Sequence, residues 1–439
     1  MKEIDIGALQ IIKRLGDAGY TALLAGGCVR DALLGLRPKD WDIATNASPE
    51  KVSSIFERTL SVGERFGSCI VVLSQGSYDV TTFRSDGPYR NKRHPSYVEA
   101  ADPRQDALRR DFTINGLFYD PLKSELIDYV DGCKDLEDRK LRCIGIPENR
   151  FNEDPLRLLR AIRFASKFDL VWDPATFRAI KDCAQDIVCV SSERIEDELT
   201  SILSSAQNSQ ALQMLMRTDL MEILLPDVAE LKGVDQPLEF HPEGDVWNHT
   251  LKVMSLLEAP SPELAWASLL HDIGKKSTRK CTDRIRFIGH DKVGAKMAEK
   301  ICERLRMSSS RKNRIVNLVG KHMQLLNIRE MRESTRRRLF RQDYFKELLE
   351  LHRVDCLGGS GRLDIYDFCV GELDSISQLE LRPARILSGR DLIELGIRPG
   401  PDIGGILLRI EDAQLEGEIS TRTQALSWVR SNYPGIIEE

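Results

Sequence analysis

Two aspartates separated by one residue give the clearest chemical signal in this chain of 439 residues. Asp40 and Asp42 lie in the segment KDWDIAT, whose composition predicts a β-strand. Side chains two apart on a strand project from the same face, and two carboxylates there repel each other unless a cation lies between them. Magnesium held by one or two carboxylates and by substrate phosphates is typical of phosphoryl and nucleotidyl transfer. We therefore predict a Mg²⁺ site here, with two solvated aspartates at a strand end as the structural alternative.

A glycine pair upstream of these aspartates has the pattern of a phosphate-binding turn. Gly26 and Gly27 end the strand-like run TALLAGG and begin a helix, and Arg30 follows within the first helical turn. The missing side chains let backbone N–H groups approach a phosphate, to which the arginine can add a charge-assisted contact. A tight strand–helix junction without a ligand is the alternative.

A third set of polar residues lies in the segment NEDPLRLLRAIRF. The pattern predicts an amphipathic helix capped by Asn152 or Glu153, with Pro155 in its first turn. A spacing of three residues gathers its polar side chains along one face: Asp154, Arg157, Arg160 and Arg163. A salt-bridged helix surface is the alternative to a binding face.

Histidines and aspartates in the second half of the chain have the order of an HD domain. His249 precedes the pair His271-Asp272, and Asp355 follows far downstream. Imidazoles and carboxylates on helices suit a divalent transition metal, which would activate water for phosphoester hydrolysis. Two more histidines lie between and could complete a binuclear site: His290 and His322. A degenerate HD fold kept as a scaffold is the alternative.

The hydrophobic patterns along the chain predict an α/β region followed by helices. Strand-like runs occupy the first 85 residues or so, and helical patterns dominate from about residue 150. A length of 439 residues predicts roughly three folding units of about 150 residues. The net charge of −5 excludes a uniformly basic chain, although a local basic face remains compatible with a nucleic-acid enzyme.

Cysteine spacing and hydropathy indicate where the protein works. The ten cysteines form no C-x-x-C pair, so we predict buried free thiols in a reducing compartment rather than disulfides or a zinc site. The first residues lack the apolar core of a signal peptide, and no apolar run approaches the ~18 residues of a membrane span. We therefore predict a cytoplasmic protein that does not enter the membrane.

Four motifs in this order resemble one enzyme family. They are G-G-x-x-R-D from Gly26, D-x-D at Asp40, R-R-D-F-T-I-N at 109–115 and E-D-P-L-R at 153–157. The order resembles the class II tRNA nucleotidyltransferases, or CCA-adding enzymes, and the related bacterial poly(A) polymerases. The resemblance covers roughly residues 20–200, and later segments resemble members that carry an HD domain and a C-terminal tail.

The resemblance implies a role for each matched residue. Asp40 and Asp42 would hold the catalytic metal ions, with Asp79 as a helper or as a charge that organises its loop. Arg110 and Asp111 would sense the ribose, because a carboxylate can accept a hydrogen bond from a 2′-hydroxyl. Asn115 would support that site or the phosphates.

The same resemblance implies how the base is chosen. Asp154 and Arg157 would pair with the Watson–Crick edge of the incoming base, and Glu153 would position the arginine. Residues 84–110 would form the flexible loop that helps the enzyme switch from CTP to ATP. The substrates would be CTP, ATP and the acceptor and T arms of tRNA, with no nucleic-acid template.

The predicted fold class is α+β, with a small nucleotidyltransferase head of mixed sheet and helices before an elongated all-α body. An arginine-rich segment at 328–342 would be either a phosphate-binding or a solvated helix face. A poly(A) polymerase or A-adding enzyme is the nearest alternative function, and an HD phosphohydrolase with a non-catalytic RNA-binding head is the more distant one. The HD site would act as a phosphatase or 2′,3′-cyclic phosphodiesterase. The predicted divisions are a head at 1–140, a neck at 141–235, an HD domain at 236–370 and a tRNA-binding tail at 371–439.

Overall fold

A computed structural model describes residues 4–60, 67–90, 92–237, 239, 242, 244–281, 283–376 and 381–434. The chain divides into two compact units. Residues 1–229 with 304–307 form the first unit, and residues 230–303 with 308–439 form the second. Within the described ranges, no helix is both long and apolar enough to cross a bilayer.

A seven-stranded mixed sheet forms the core of the first unit. The strand order is β11-β10-β1-β2-β5-β4-β3, in which β2 and β5 run parallel and the other neighbours run antiparallel. Phe83 and Phe118 pack edge-to-face at 5.9 Å in the apolar layer beside it. The strands of this unit are β1 (Ala22–Ala25), β2 (Ile43–Thr45), β3 (Thr59–Leu60), β4 (Ser68–Leu73), β5 (Gly76–Thr82), β6 (Arg84–Asp86), β7 (Tyr89–Arg90), β8 (His94–Pro95), β9 (Val98–Ala100), β10 (Leu117–Asp120), β11 (Glu125–Asp128), β12 (Lys140–Leu141) and β13 (Val171–Trp172).

Helices flank this sheet and form most of the rest of the first unit, in which β12 and β13 make a separate two-stranded pair. Asp5 caps the first helix by accepting hydrogen bonds from two backbone N–H groups, which fixes its start. The helices are α1 (Ile6–Asp17), α2 (Gly27–Leu33), α3 (Pro49–Ile55), α4 (Pro103–Leu108), α5 (Gly132–Glu137), α6 (Pro147–Glu153), α7 (Leu156–Lys167), α8 (Pro174–Asp182), α9 (Ser192–Leu203), α10 (Asn208–Arg217), α11 (Leu220–Leu224) and α12 (Pro226–Ala229). Short 3₁₀ helices occupy Thr113–Asn115 and Ala184–Cys189.

The second unit is mainly helical and holds two apolar packing regions. One surrounds the histidines of the HD pattern, and the other closes the last three helices around buried side chains such as Leu392 and Ile410. Its elements are α13 (Val246–Ser255), α14 (Pro262–Leu270), α15 (Lys275–Thr278), β14 (Lys280–Cys281), β15 (Ile285–Arg286), α16 (His290–Arg304), α17 (Ser309–Lys321), a 3₁₀ helix (Gln324–Glu330), α18 (Glu333–Phe340), α19 (Phe345–Gly358), α20 (Asp364–Ser375), α21 (Gly389–Glu394), α22 (Pro401–Leu415) and α23 (Arg422–Asn432). A mixed sheet with helices followed by a helical body confirms the predicted fold class.

Two local predictions were wrong. The D-x-D pair precedes β2 instead of lying in it, because β1 turns away at Gly26 and leaves residues 40 and 41 beyond the end of the ladder. The helix predicted to begin with a cap at Asn152 or Glu153 begins later, because both residues end the preceding helix α6 and Pro155 takes the cap position of α7. Asp154 has extended dihedrals (φ −148°, ψ 100°), as expected for a residue before proline.

The cysteines are free, as predicted, but the prediction that they are buried was too general. All ten thiols are free, but Cys189 and Cys281 are exposed, and Cys133 and Cys356 are partly so. The segment at 84–110 was predicted as a flexible loop. It contains two short antiparallel pairs, β6 with β9 and β7 with β8.

Candidate functional site

One cavity of about 820 Å³ in the first unit collects nearly all of the residues singled out around the four motifs. Glu153 lies outside the lining and forms an ion pair with Arg157, which is part of it. The predicted residues that line the cavity are Gly26, Gly27, Arg30, Asp40, Asp42, Arg110, Asp111, Asn115, Asp154, Arg157, Arg160 and Arg163, together with Asp79.

Three carboxylates form one edge of this cavity. The parallel register pairs Ile43 with Val80, so the residues immediately before them, Asp42 and Asp79, lie side by side at the same ends of β2 and β5. Asp40 lies on the segment leading into β2. Partial desolvation raises the pKa of Asp42, and the negative charges of Asp79 and Asp40 raise it further, while Arg110 opposes them. A cluster of like charges of this kind favours a bound cation.

The glycine turn brings the backbone close to an arginine. Gly26 has φ 71°, and a Cβ there would lie 2.6 Å from Nη1 of Arg110, so only glycine fits. On the following helix, Arg30 donates from Nε and Nη2 to Asp31 and from Nη1 to the side-chain oxygen of Asn115. Two of its five N–H groups are left over, which suits contact with a phosphate.

Asp111 lies at the centre of a buried hydrogen-bond network. Its Oδ1 accepts from the backbone N–H of Phe112 at 2.8 Å and from Nδ2 of Asn115 at 2.9 Å. Its Oδ2 accepts from Nε and Nη2 of Arg160 at 2.9 and 2.6 Å. Burial alone would raise the pKa of Asp111, but Arg160 and Asn115 more than offset it and hold that pKa well below its usual range.

Because these four bonds use all of the acceptor positions of a carboxylate, Asp111 can take a hydrogen bond from a ribose only by releasing one of them. The neighbouring predicted ribose residue is also held in place. Arg110 donates from Nε and Nη2 to Asp106 and from Nη1 to the backbone carbonyl of Asn115. The two residues are therefore oriented before a nucleotide binds.

The two side chains of the base-selecting prediction, Asp154 and Arg157, lie at the break between α6 and α7 and line the cavity. Nη1 of Arg157 donates to Glu153 at 2.5 Å and to the backbone carbonyl of Arg150 at 3.0 Å. The side chain of Arg150 also donates to Glu153, from Nη1 to the two carboxylate oxygens at 2.9 and 3.2 Å. Glu153 therefore fixes one nitrogen of Arg157, whose Nε and Nη2 have no hydrogen-bond partner among the described residues.

Asp154 is held by a residue that the sequence did not single out. Nη1 and Nη2 of Arg194 donate to its two oxygens at 3.2 and 2.8 Å. The backbone N–H of Leu156 also donates to Oδ1, at 3.2 Å. Arg194 lies on α9 and lines the same cavity. No local pattern could have linked it to Asp154, since 40 residues separate them.

Two residues of the 84–110 segment contact other parts of the first unit. The guanidinium of Arg157 lies 5.8 Å from the ring centroid of Tyr89, on β7. Nζ of Lys92 donates to Asp186 at 2.6 Å. The segment is therefore tied both to the predicted template and to the helical part of the same unit.

The second unit brings the six predicted HD ligands together in two adjacent groups. His249, His271 and Asp355 form one, and Asp272, His290 and His322 form the other. Nε2 of His249 lies 3.0 Å from Oδ1 of Asp355, and Nε2 of His290 lies 3.4 Å from Oδ1 of Asp272.

The outer nitrogens of the HD histidines favour metal binding by the inner ones. Nδ1 of His271, His290 and His322 each lies 2.7–2.8 Å from a backbone carbonyl oxygen, to which it donates. This tautomer leaves the lone pair on Nε2, as in most histidine ligands. The Nε2 atoms of His290 and His322 lie only 3.1 Å apart. Two lone pairs at that distance repel each other unless a cation or a proton lies between them.

Burial lowers the pKa of His322 to about 4, and His271 adds to this effect. A neutral imidazole is the form that binds metal. A cavity of about 650 Å³ is lined by four of the six ligands: Asp272, His290, His322 and Asp355. Its wall includes Lys275, Arg284, Phe287 and Leu326, which combine positive charge with apolar surface.

The arginine-rich segment is largely neutralised within its own unit. Arg338 and Arg341 pair with Glu411, and Arg336 pairs with Glu372. These ion pairs favour the structural alternative for this segment over a dedicated phosphate-binding face.

Comparison with known proteins places these sites in a family. Residues 22–142 match the poly A polymerase head domain, residues 170–232 match the probable RNA- and SrmB-binding site of polymerase A, and residues 246–357 match the HD domain.

Full-length relatives extend these matches to the whole chain. A CCA-adding enzyme of Streptococcus gordonii is 32% identical, with 95% of each chain covered. One of Streptococcus thermophilus is 30% identical, over 95% of this chain and 94% of the relative. The crystal structure of the Bacillus stearothermophilus CCA-adding enzyme in complex with CTP superposes with a TM-score of 0.75 at 26% identity, covering 97% of both chains. On the similarity of its whole length to these proteins, the chain belongs to the family of CCA-adding enzymes.

Proposed function

We propose that this protein adds or repairs the 3′-terminal CCA of tRNA, using CTP and ATP and no nucleic-acid template. The observation that carries the proposal is the single cavity in which the acidic edge, the glycine turn and the base-selecting pair meet. Each of these features alone has a structural alternative, but their convergence around one space of nucleotide size supports a nucleotide site.

Asp40 and Asp42 would hold the Mg²⁺ ions, with Asp79 beside them. The donor set fits, because the pKa of Asp42 is raised by its surroundings and by two neighbouring carboxylates, a repulsion that a divalent cation would relieve. When bound, the metal supplies activation of the primer 3′-hydroxyl and charge neutralisation on the triphosphate. The aspartates orient the reacting ends, and Arg30 and Arg110 add positive charge along the phosphates.

Asp111, Asn115 and Arg160 would recognise the ribose as one network. Since Asp111 already accepts four hydrogen bonds, a 2′-hydroxyl would displace one of the Arg160 contacts. Arg163, which pairs with Glu198 at 2.7 Å, lies one helical turn further and would contribute to phosphate binding. A dNTP could not make the exchange, which supports selection for ribonucleotides.

Hydrogen-bond complementarity supports base selection by Asp154 and Arg157. Cytosine and adenine both present an exocyclic amine next to an unprotonated ring nitrogen. A carboxylate can accept from the amine, and the remaining N–H groups of Arg157 can donate to the ring nitrogen. Uracil and guanine present a carbonyl oxygen next to a protonated ring nitrogen. Their carbonyl oxygen would face the carboxylate of Asp154, and their ring N–H would face the N–H groups of Arg157, so neither hydrogen bond could form.

One assay tests the function and separates the related alternatives. tRNA transcripts that end before CCA, in CC, or in CCA are incubated with CTP, ATP or both. The proposal predicts addition of CC with CTP alone, of A to the CC-ending transcript, and no extension of the complete tRNA. Extension by many A residues would identify a poly(A) polymerase, and failure with CTP alone would identify an A-adding enzyme.

The HD residues favour a second activity, a metal-dependent phosphohydrolase. The two ligand groups fit divalent ions through their imidazole nitrogens and close carboxylates, and we propose a transition metal because imidazole predominates. The metal would supply an activated water, and Lys275 and Arg284 in the adjacent cavity would bind the phosphate. Phosphatase or cyclic phosphodiesterase action at 2′,3′ RNA ends would complement repair of the 3′ terminus.

The His271→Ala variant tests this second activity. We expect it to lose bound transition metal, measured by elemental analysis, and hydrolysis of 2′,3′-cyclic AMP, while keeping CTP incorporation. If hydrolysis persists without His271, the HD assignment of that activity fails.

We also propose that the chain divides into a head, a neck, an HD domain and a tail. A cytoplasmic location is supported by the ten free thiols.

A further inference from the structure

The carboxylate of Asp154 has only one acceptor position left for a base. A carboxylate offers about four such positions. Oδ1 accepts from Nη1 of Arg194 and from the backbone N–H of Leu156, and Oδ2 accepts from Nη2 of Arg194. Because Arg194 binds both oxygens, the carboxylate plane cannot rotate without breaking both contacts. The remaining position on Oδ2 matches the single hydrogen that an exocyclic amine presents.

A fixed carboxylate matters because a mobile one would admit the wrong bases. If Asp154 could swing, it could accept from the ring N–H of uracil while Arg157 donated to the uracil O4. This exchange of partners would satisfy uracil as well as the intended pairing satisfies cytosine. The restraint by Arg194 prevents the exchange.

We propose that Arg194 is a positioning residue for base selectivity, which locks Asp154 so that the site rejects uracil and guanine. The inference rests on the proposed base-selecting role of Asp154 and Arg157. Arg194 lines the cavity on α9, and a quarter of its side chain is exposed there.

A purely structural role for Arg194 is less consistent with the contacts around it. If its role were only to tie α9 to the start of α7, other ion pairs would duplicate it. Arg163 on α7 pairs with Glu198 on α9 at 2.7 Å, and Arg160 approaches the same carboxylate at 3.9 Å. The helices are therefore joined without Arg194, whereas Arg194 supplies two of the three hydrogen bonds that the Asp154 carboxylate accepts from described residues.

The experiment compares CTP and UTP addition to tRNA that ends before CCA, as ratios of kcat/KM. The Arg194→Met variant should lower the preference for CTP by about tenfold to a hundredfold, the range for one bidentate contact to a base edge. Arg194→Lys keeps one contact and should fall between. Arg178→Met, at an exposed position on α8 outside the cavity lining, is the matched control and should keep the wild-type ratio.

A double-variant cycle separates the two claims. Asp154→Ala should itself reduce the ratio, and adding Arg194→Met should reduce it no further, since the residue to be positioned is gone. Equal slowing with CTP and UTP in Arg194→Met, or an unchanged ratio, would overturn the inference while the loss in Asp154→Ala upholds the proposed function. An unchanged ratio in Asp154→Ala would overturn the base-selecting proposal itself. If Arg194→Met melts well below the wild type, Arg194→Lys decides, and an unchanged ratio there overturns the inference.

Discussion

Replacing Glu153 with glutamine should weaken the selection of cytosine by releasing Arg157. Glu153 accepts from Nη1 of Arg157 at 2.5 Å and twice from Arg150, at 2.9 and 3.2 Å. The side chains of Glu153 and Arg157 are only 25% and 11% exposed, so water replaces these bonds poorly. Glutamine has nearly the same shape, but it has a single acceptor oxygen and no charge.

The magnitude follows from the bond that is lost. A hydrogen bond to a charged group contributes about 1.5–3 kcal/mol. For a partly exposed pair we take about 2 kcal/mol for the contact to Arg157, which corresponds to about thirtyfold in kcat/KM for CTP. The same loss should lower the melting temperature by about 4–8 °C if it acts on a folding unit of roughly 200 residues.

Two measurements on the Glu153→Gln variant separate position from stability. Thermal melting reports the lost ion pair, and single-nucleotide addition with CTP and UTP reports the base selectivity. Glu198→Gln is the contrast, because it removes the carboxylate partner of Arg163 without touching the base-selecting pair. It should melt earlier and keep the CTP preference. A Glu153→Gln enzyme that melts earlier yet keeps its full preference for CTP would refute the positioning role.

Other changes have equally specific outcomes. Gly26→Ala should cut CTP addition at least about tenfold, because Gly26 has φ 71° and an added Cβ would lie 2.6 Å from a guanidinium nitrogen of Arg110. Gly16→Ala is the control and should have no effect in the same assay, because its Cβ would lie 3.6 Å from Leu122, an ordinary contact. The raised pKa of Asp42 means that the folded metal-free protein holds this proton more tightly than the unfolded chain, so its stability falls as pH rises above the usual aspartate value. Asp79→Asn should therefore raise the melting temperature of metal-free protein at pH 7, and added Mg²⁺ should reduce the difference; no gain without metal would contradict the repulsion. EDTA should lower the melting temperature of the wild type by more than that of His271→Ala, because the variant has already lost one ligand of the group that His271 forms with His249 and Asp355.

Most of the residues that line the cavity of the first unit could be predicted from sequence because their signals are local. Asp40 and Asp42 are two residues apart in the chain, and the glycine turn carries its own conformational requirement. The strand boundary could not be placed, because it depends on where the neighbouring strand β1 turns away. The break before Pro155 had a local signal, the restriction that proline imposes on the preceding residue, but helical periodicity on both sides masked it.

Pairings between distant helices were beyond the sequence. Arg194 and Asp154 lie on separate elements 40 residues apart, and no spacing rule connects them. The closure of all four hydrogen bonds on Asp111 is likewise a tertiary result. The HD pattern could be predicted because an adjacent histidine–aspartate pair, with a histidine before it and an aspartate after it, is visible in the sequence alone. The division of its six ligands into two groups required the helix packing.

The assignment of nucleotidyl transfer to the acidic edge has one decisive test. The Asp40→Asn/Asp42→Asn double variant is given tRNA that ends before CCA, with radiolabelled CTP and Mg²⁺, and is compared with the wild type and His271→Ala. We expect incorporation by the double variant to fall at least about a thousandfold, because both proposed metal-holding carboxylates are gone. His271→Ala should incorporate CTP at the wild-type rate. Incorporation by a folded double variant at a rate near that of the wild type would contradict the proposed active site.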